Sequence, residues 1–126
     1  MKQMDREILD EGDMETVKLL TACGCNGNEA KCLCFLLSHE TAMAPEIEIA
    51  MDMRQPEVSV GLTALFDKGL ISYKKIPAEG KGRPKQKYTL DGKEIVHKEL
   101  KKTLMDVIRD ANVHMNDIDE LFLALK

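Results

Sequence analysis

The sequence has no tryptophan, and aromatic residues make up only 4% of its 126 positions. A β-sandwich core is disfavoured by that shortage, because strands draw on aromatic and β-branched side chains. Leu, Ile, Val, Ala and Met must fill the core, within a hydrophobic fraction of 44%, and packed helices suit them. No apolar run approaches the roughly 18–20 residues that cross a membrane. The N-terminus, MKQMDREILDEGDMETVK, is too acidic and polar for a signal peptide. The expected location is therefore cytoplasmic, where four cysteines are reduced thiols or metal ligands. Catalytic patterns are also missing. There is no phosphate-cradling glycine loop between a strand and a helix, no nucleophile elbow and no metalloprotease helix. The chain reads as a non-enzyme.

What is present is an uneven charge. The net charge is −4, yet residues 74–87 hold six cations (Lys74, Lys75, Lys81, Arg83, Lys85, Lys87) against Glu79 alone. Local fields rather than the overall sum decide where a polyanion docks.

Residues 1–12 form a polar N-terminal segment. Asp13 is expected to cap a helix from Met14 to about Ala22, and Cys23-Gly24-Cys25-Asn26-Gly27 to end it at a turn. Asn28 is expected to cap a second helix through the apolar run Ala30–Leu37, ending near His39. Ala44-Pro45 begins a third, with Ile47 and Ala50 inward. After a turn at Met53-Arg54, Gln55-Pro56-Glu57 opens a fourth. Its apolar positions Val58, Leu62, Leu65 and Phe66 have helical spacing, and Gly69 ends it. Leu70–Ile76 and Gln86–Leu90 read as two strands around a basic loop, AEGKGRPK. From Gly92 to Lys126 a helical stripe returns, with a kink expected at Asn112–Asn116 because Asn, Val and His are weaker helix formers.

The predicted order is α-α-α-α-β-β-α, mainly α with a small β-hairpin. Two helices joined by a short turn, followed at once by a basic hairpin, are the sequence form of a winged helix-turn-helix, here over residues 13–91. The stretch from Glu46 to Leu90 resembles the DNA-binding core of winged-helix regulators of the ArsR, MarR and TrmB-like groups, particularly small archaeal-type members. The resemblance is carried by Glu48-Ile49-Ala50, by Gln55–Ser59, by Leu62, Leu65, Gly69, Leu70 and Ile71, and by Gly82–Tyr88. It covers about half the chain. It implies a recognition helix at about 55–68 with Gln55, Pro56, Ser59, Thr63 and Lys68 near DNA, and a wing reaching DNA through Lys81, Arg83 and Lys85. Lys74, Lys75 and Lys87 extend the wing's positive charge. The helix-turn-helix itself is acidic, with Glu46, Glu48, Asp52 and Glu57, and leaves Arg54, Gln55, Ser59 and Thr63 as its suitable contacts. More of the affinity then falls to the wing and to avidity in a dimer.

Residues 92–126 are expected to form a C-terminal dimerisation helix. Leu100, Leu104, Ile108, Met115, Ile118, Leu121, Phe122 and Leu125 mark a stripe that a monomer would leave exposed. A homodimer would place two recognition helices about one DNA turn apart.

Cys23, Cys25, Cys32 and Cys34 form C-x-C-x6-C-x-C. Thiolates suit zinc, copper(I) or an iron–sulfur cluster, but free cysteine is also a common small core residue. On a helix Cys32 and Cys34 lie about 200° apart and point to different sides. Core burial is the favoured reading and a metal or redox site the alternative, with His39 as a further candidate ligand. No cofactor is required. The rival to a DNA-binding regulator is a winged-helix protein-docking module, for which the acidic helix-turn-helix is suited.

Overall fold

The computed structural model describes residues 10–77 and 85–125. Lys81 and Arg83 of the expected wing, and residues 1–9 of the N-terminal segment, lie outside the described residues.

Helix α1 spans Glu11–Ala22 and α2 spans Gly27–His39. Both start with reciprocal caps, and both caps differ from the sequence expectation. Asp10, not Asp13, caps α1: its Oδ1 accepts from Asp13 N at 2.7 Å, and Asp13 takes the third helical position. Asn26, not Asn28, caps α2: its Oδ1 accepts from Glu29 N at 2.9 Å, while Asn26 N donates to Glu29 Oε1 at 3.2 Å. In each case two orphan donors are satisfied at once, which a single Asp13 or Asn28 cap cannot do.

A short strand, β1 (Thr41–Met43), follows α2, then α3 (Ala44–Ala50) and α4 (Gln55–Asp67). Strands β2 (Ile71–Ile76) and β3 (Lys85–Leu90) form the hairpin, and β1 adds to its far edge to give an antiparallel sheet of order β1-β3-β2. Three residues are too few for periodicity to reveal, so β1 escaped the sequence. The turn between α3 and α4 is tight because Asp52 takes a left-handed conformation (φ 53°), a region that Asp tolerates better than most side chains. Gly69 (φ 76°) ends α4 as expected.

The core lies between α2, α4 and the sheet. Leu33 and Leu36 of α2, Ile47 of α3, Val58 and Leu65 of α4, and Leu70 and Ile71 at the start of the hairpin are all buried. Helices α2 and α4 approach each other tightly at Gly61. A Cβ there would sit 2.6 Å from Asn28 O and 2.7 Å from Cys32 Sγ. Glycine lets α2 and α4 meet backbone to backbone.

Helix α5 (Lys93–Ala124) is continuous through Asn112–Asn116, where a kink was expected. The propensity cost of Asn, Val and His is only a few tenths of a kcal/mol each, too small to break a helix hydrogen-bonded on both sides. Only its first three turns dock on the body: Val96 is buried, Leu100 packs against the core and Thr103 lies beside Gly24. Among the described residues no helix is long and apolar enough to cross a membrane.

Candidate nucleic-acid interface

Helix α4 carries Gln55, Ser59 and Thr63 four residues apart, on one exposed face. Arg54 is exposed at its N-terminus. Ser59, Thr63 and Phe66 of α4 line a cleft of about 260 Å³ whose other wall is Tyr73, Gln86 and Tyr88 of the hairpin. Tyr73 stands opposite Tyr88 in the hairpin register, with ring centroids 5.9 Å apart, and Phe66 packs on Tyr73 at 5.5 Å. The three rings fix the hairpin against α4. The Tyr88 hydroxyl donates to Gln86 Oε1 at 2.6 Å. Burial, then the neighbouring Tyr73, raises the Tyr88 pKa, so this group stays a protonated donor. Sequence reasoning missed this aromatic wall. Its signal was the alternation of Tyr73 with Lys74 and of Tyr88 with Lys87, which puts each Tyr and its neighbouring Lys on opposite faces.

The same alternation divides the strand lysines. Lys75 shares the α4-facing side with Tyr73 and Gln86, whereas Lys74, Lys85 and Lys87 occupy the other. Lys74 stands directly opposite Lys87. Like charges opposed across a hairpin are destabilising, so the fold tolerates this arrangement rather than gaining from it.

The acidic character of the helix-turn-helix has a local cause. Glu46 Oε1 accepts from Met43 N at 2.7 Å, and Glu57 Oε1 accepts from Arg54 N at 2.8 Å. Two of the four carboxylates are therefore helix caps, favourably placed at positive dipole ends.

Lys68, expected near DNA, is engaged within the fold: its ammonium lies 2.5 Å from Oε2 of Glu29 on α2. Glu29 is 2% exposed and its Oε2 makes no aligned hydrogen bond. The lysine thus neutralises a buried carboxylate as an ion-pair contact and anchors the end of α4 to α2. A carboxylate left alone there would be strongly unfavourable.

The four cysteines are buried and free. Cys32 Sγ faces the Val58 carbonyl of α4 at 3.8 Å, while Cys34 Sγ faces Asp13 of α1 at 3.8 Å. The two sulfurs point to different helices, as the helical spacing required. His39 is stacked on Phe35, its ring nitrogen 3.1 Å from the Phe35 carbonyl. Among the described residues no group of three or more His, Cys, Asp or Glu side chains is placed to hold a metal. Burial first, then Glu29, pushes the Cys32 thiol up to about 12. Burial first, then Glu29, takes Cys25 to about 11, and burial, then Asp13, takes Cys34 to about 11. Thiols held protonated are poor nucleophiles and poor ligands.

An alkaline transition follows. An unfolded thiol titrates near 9.0, so between about pH 9 and pH 11 the unfolded chain has lost protons that the folded chain keeps. Stability is unaffected by these groups below pH 9 and falls as pH rises through the folded values. Urea midpoints measured from pH 8 to 11 should decline, and Cys32→Ala should decline less steeply. Equal slopes would remove Cys32 as a cause.

The order of elements, with a helix-turn-helix leading into a three-stranded antiparallel sheet, has counterparts among solved structures. A possible transcriptional regulator from Methanosarcina mazei Go1 superposes with a TM-score of 0.63, over 90% of this chain and 98% of that one, at 11% identity. The fold is a winged helix-turn-helix. A transcriptional regulator homologue from Pyrococcus horikoshii OT3 matches with a TM-score of 0.50 and 22% identity, over 78% of this chain and 98% of that one. NadR in complex with 4-hydroxyphenylacetate also matches with a TM-score of 0.50, at 14% identity over 99% of this chain and 97% of that one. No protein-family model and no curated protein sequence matches the chain. In winged-helix terms, α3 and α4 are the helix-turn-helix, β2 and β3 bound the wing, and α5 is an appended helix.

Proposed function

We propose that this winged helix is a DNA-binding regulator of transcription that acts as a homodimer on promoter DNA. The observation that carries the reading is the pairing of α4's exposed Gln55–Ser59–Thr63 face with a hairpin bearing Lys74, Lys75, Lys85 and Lys87 beside it. Helix α4 lies in the major groove, where Gln55 can pair with adenine and Ser59 and Thr63 reach bases or phosphates. The basic segment from Lys74 to Lys87, which includes Lys81 and Arg83 in its sequence, supplies salt-dependent affinity. Arg54 and Lys75 position the domain on the backbone. Homodimerisation through α5 covers Ile108, Met115, Ile118, Leu121, Phe122 and Leu125, which are all more than half exposed in the single chain. The four buried cysteines serve the core in this reading.

The test is binding to a fluorescent duplex from the gene's own upstream region at several salt concentrations. Affinity that falls linearly on a log–log salt plot supports the reading. No binding at low salt, with or without reductant and added metal, would overturn it and favour the protein-docking module, whose apolar contacts respond weakly to salt.

Glu57 separates the two readings more finely. Gln at this position keeps the acceptor for Arg54 N but removes a negative charge from the end of α4 that enters the groove. Glu57→Gln should bind DNA several-fold more tightly, with a melting temperature within about 2 °C of the parent, since capping is retained. Weaker DNA binding in this variant would count against α4 as the groove helix.

A further inference from the structure

We infer that α5 pairs with α5 of a second copy of this chain in antiparallel orientation, with its two-fold axis near Val113. The inference rests on the homodimer reading above and specifies its geometry.

The apolar residues of the undocked part of α5 follow a regular alternation. Leu104, Ile108, Ala111, Met115, Ile118, Phe122 and Leu125 are spaced by four and three in turn. This is the seam of a coiled coil, three heptads and roughly 33 Å long. Leu104 is half-buried and the rest are exposed. The seam begins at Leu104, just past the body contacts of Leu100 and Thr103, and from Ile108 onward the chain itself does not cover it.

Charge fixes the direction. Residues 93–109 carry Lys93, Lys98, Lys101, Lys102 and Arg109 against Glu94, Glu99 and Asp106, an excess of positive charge, whereas residues 110–125 carry Asp110, Asp117, Asp119 and Glu120 with no Lys or Arg. A parallel pair would bring the two anionic halves together without a cation. An antiparallel pair sets Asp117, Asp119 and Glu120 of each helix against residues 101–109 of the other, where Lys101, Lys102 and Arg109 outnumber Asp106. Packing the seam antiparallel puts Leu104 opposite Phe122 of the second copy, Ile108 opposite Ile118, and Ala111 opposite Met115, each a layer of complementary heptad positions.

The flank agrees with this register. Lys98, Lys102, Met105, Arg109, Asn112, Asn116 and Asp119 form a stripe beside the seam with the same alternating spacing. In the antiparallel pair this stripe faces its own copy. Asn112 then meets Asn112 at the axis, and Asp119 falls within about 3 Å along the axis of Arg109 on the other helix. Arg109 is 67% exposed on its side chain and holds Asp106 at 3.0 Å, which leaves other guanidinium donors for a second carboxylate.

Two measurements test the arrangement. In the first, Leu104→Cys and Phe122→Cys chains are mixed, sedimented and oxidised beside the parent, whose own thiols are buried. A disulfide between the two variants, with none between Phe122→Cys chains alone, is expected. A Phe122→Cys self-disulfide means a parallel pair and overturns the inference but not the homodimer. A dimer with neither disulfide places the interface elsewhere and also overturns it. A parent that sediments as a monomer at micromolar concentration overturns both. The second measurement avoids the seam. Arg109→Asp should weaken dimerisation about tenfold, and adding Asp119→Arg should restore it, because two exposed pairs change from attraction to repulsion and back. Absence of rescue overturns the register.

Discussion

Lys74→Glu should lower DNA affinity and raise fold stability in the same molecule. The parent places Lys74 directly across the hairpin from Lys87. Glu at position 74 converts a like-charge pair into an opposite-charge pair, which favours the hairpin by about 0.5 kcal/mol. On DNA the effect reverses. A dimer loses two phosphate contacts and gains two repulsions, so affinity near physiological salt should fall on the order of a hundredfold, or about 3 kcal/mol. The slope of log K against log salt should become shallower by about 2, since each neutralised phosphate contributes roughly 0.9. Thermal unfolding and salt-dependent fluorescence anisotropy read the two effects separately. A solvated hairpin with no polyanion partner would show the stability gain and an unchanged affinity. The opposed signs matter because a misfolded variant would also lose binding, but it would not melt higher.

Lys74 and Lys68 show how differently the sequence discloses charge. The basic segment around Lys74 was legible as a run of one sign, and alternation in a strand assigns each residue a face. Lys68 is isolated, and nothing local says that it bends toward Glu29 on another helix. That pairing depends on Glu29 being buried, which depends in turn on α2 packing against α4. The burial of α2 was legible because Ala30–Leu37 is apolar almost all round. The caps were legible in principle: Asp10-x-x-Asp13 and Asn26-x-x-Glu29 each place an acceptor three residues ahead of a carboxylate. The stripe of α5 was legible as helix, but not where it leaves the body. That boundary is set by tertiary contacts, among them the approach of Thr103 to Gly24, where an added Cβ would stand 2.8 Å from Thr103 Cγ2. Leu100 is half-buried and packs against the chain's own core, although the sequence stripe included it with the dimer contacts.

Gly61→Val should be the most damaging single substitution outside the charged surface. Its Cβ would meet Asn28 O at 2.6 Å, Asn28 C at 2.9 Å and Cys32 Sγ at 2.7 Å. Two of these atoms are backbone and cannot rotate away. The third belongs to a buried side chain that faces Val58 O. Helix α4 must therefore move off α2. Overpacking of this kind costs about 3 kcal/mol or more, a large part of the ~5–15 kcal/mol that holds a domain folded. A melting temperature lower by roughly 10 °C is expected. Gly27→Ala supplies the contrast. Gly27 opens α2 with nothing within 4 Å of an added Cβ, so Ala there should stabilise by about 0.5 kcal/mol through the unfolded chain. The consequence for function is specific. Helix α4 is held from both ends of this contact, by the Gly61 approach and by the Lys68–Glu29 pair, while its outer face carries Gln55, Ser59 and Thr63. Displacing it changes the angle between that face and the wing, which share the cleft walled by Phe66, Tyr73 and Tyr88. Gly61→Val that stays folded at low temperature should still bind DNA through its lysines, with its salt dependence kept, but should discriminate less between its own operator and unrelated duplex. Retention of full discrimination would mean that α4 does not need this seat on α2 to read DNA.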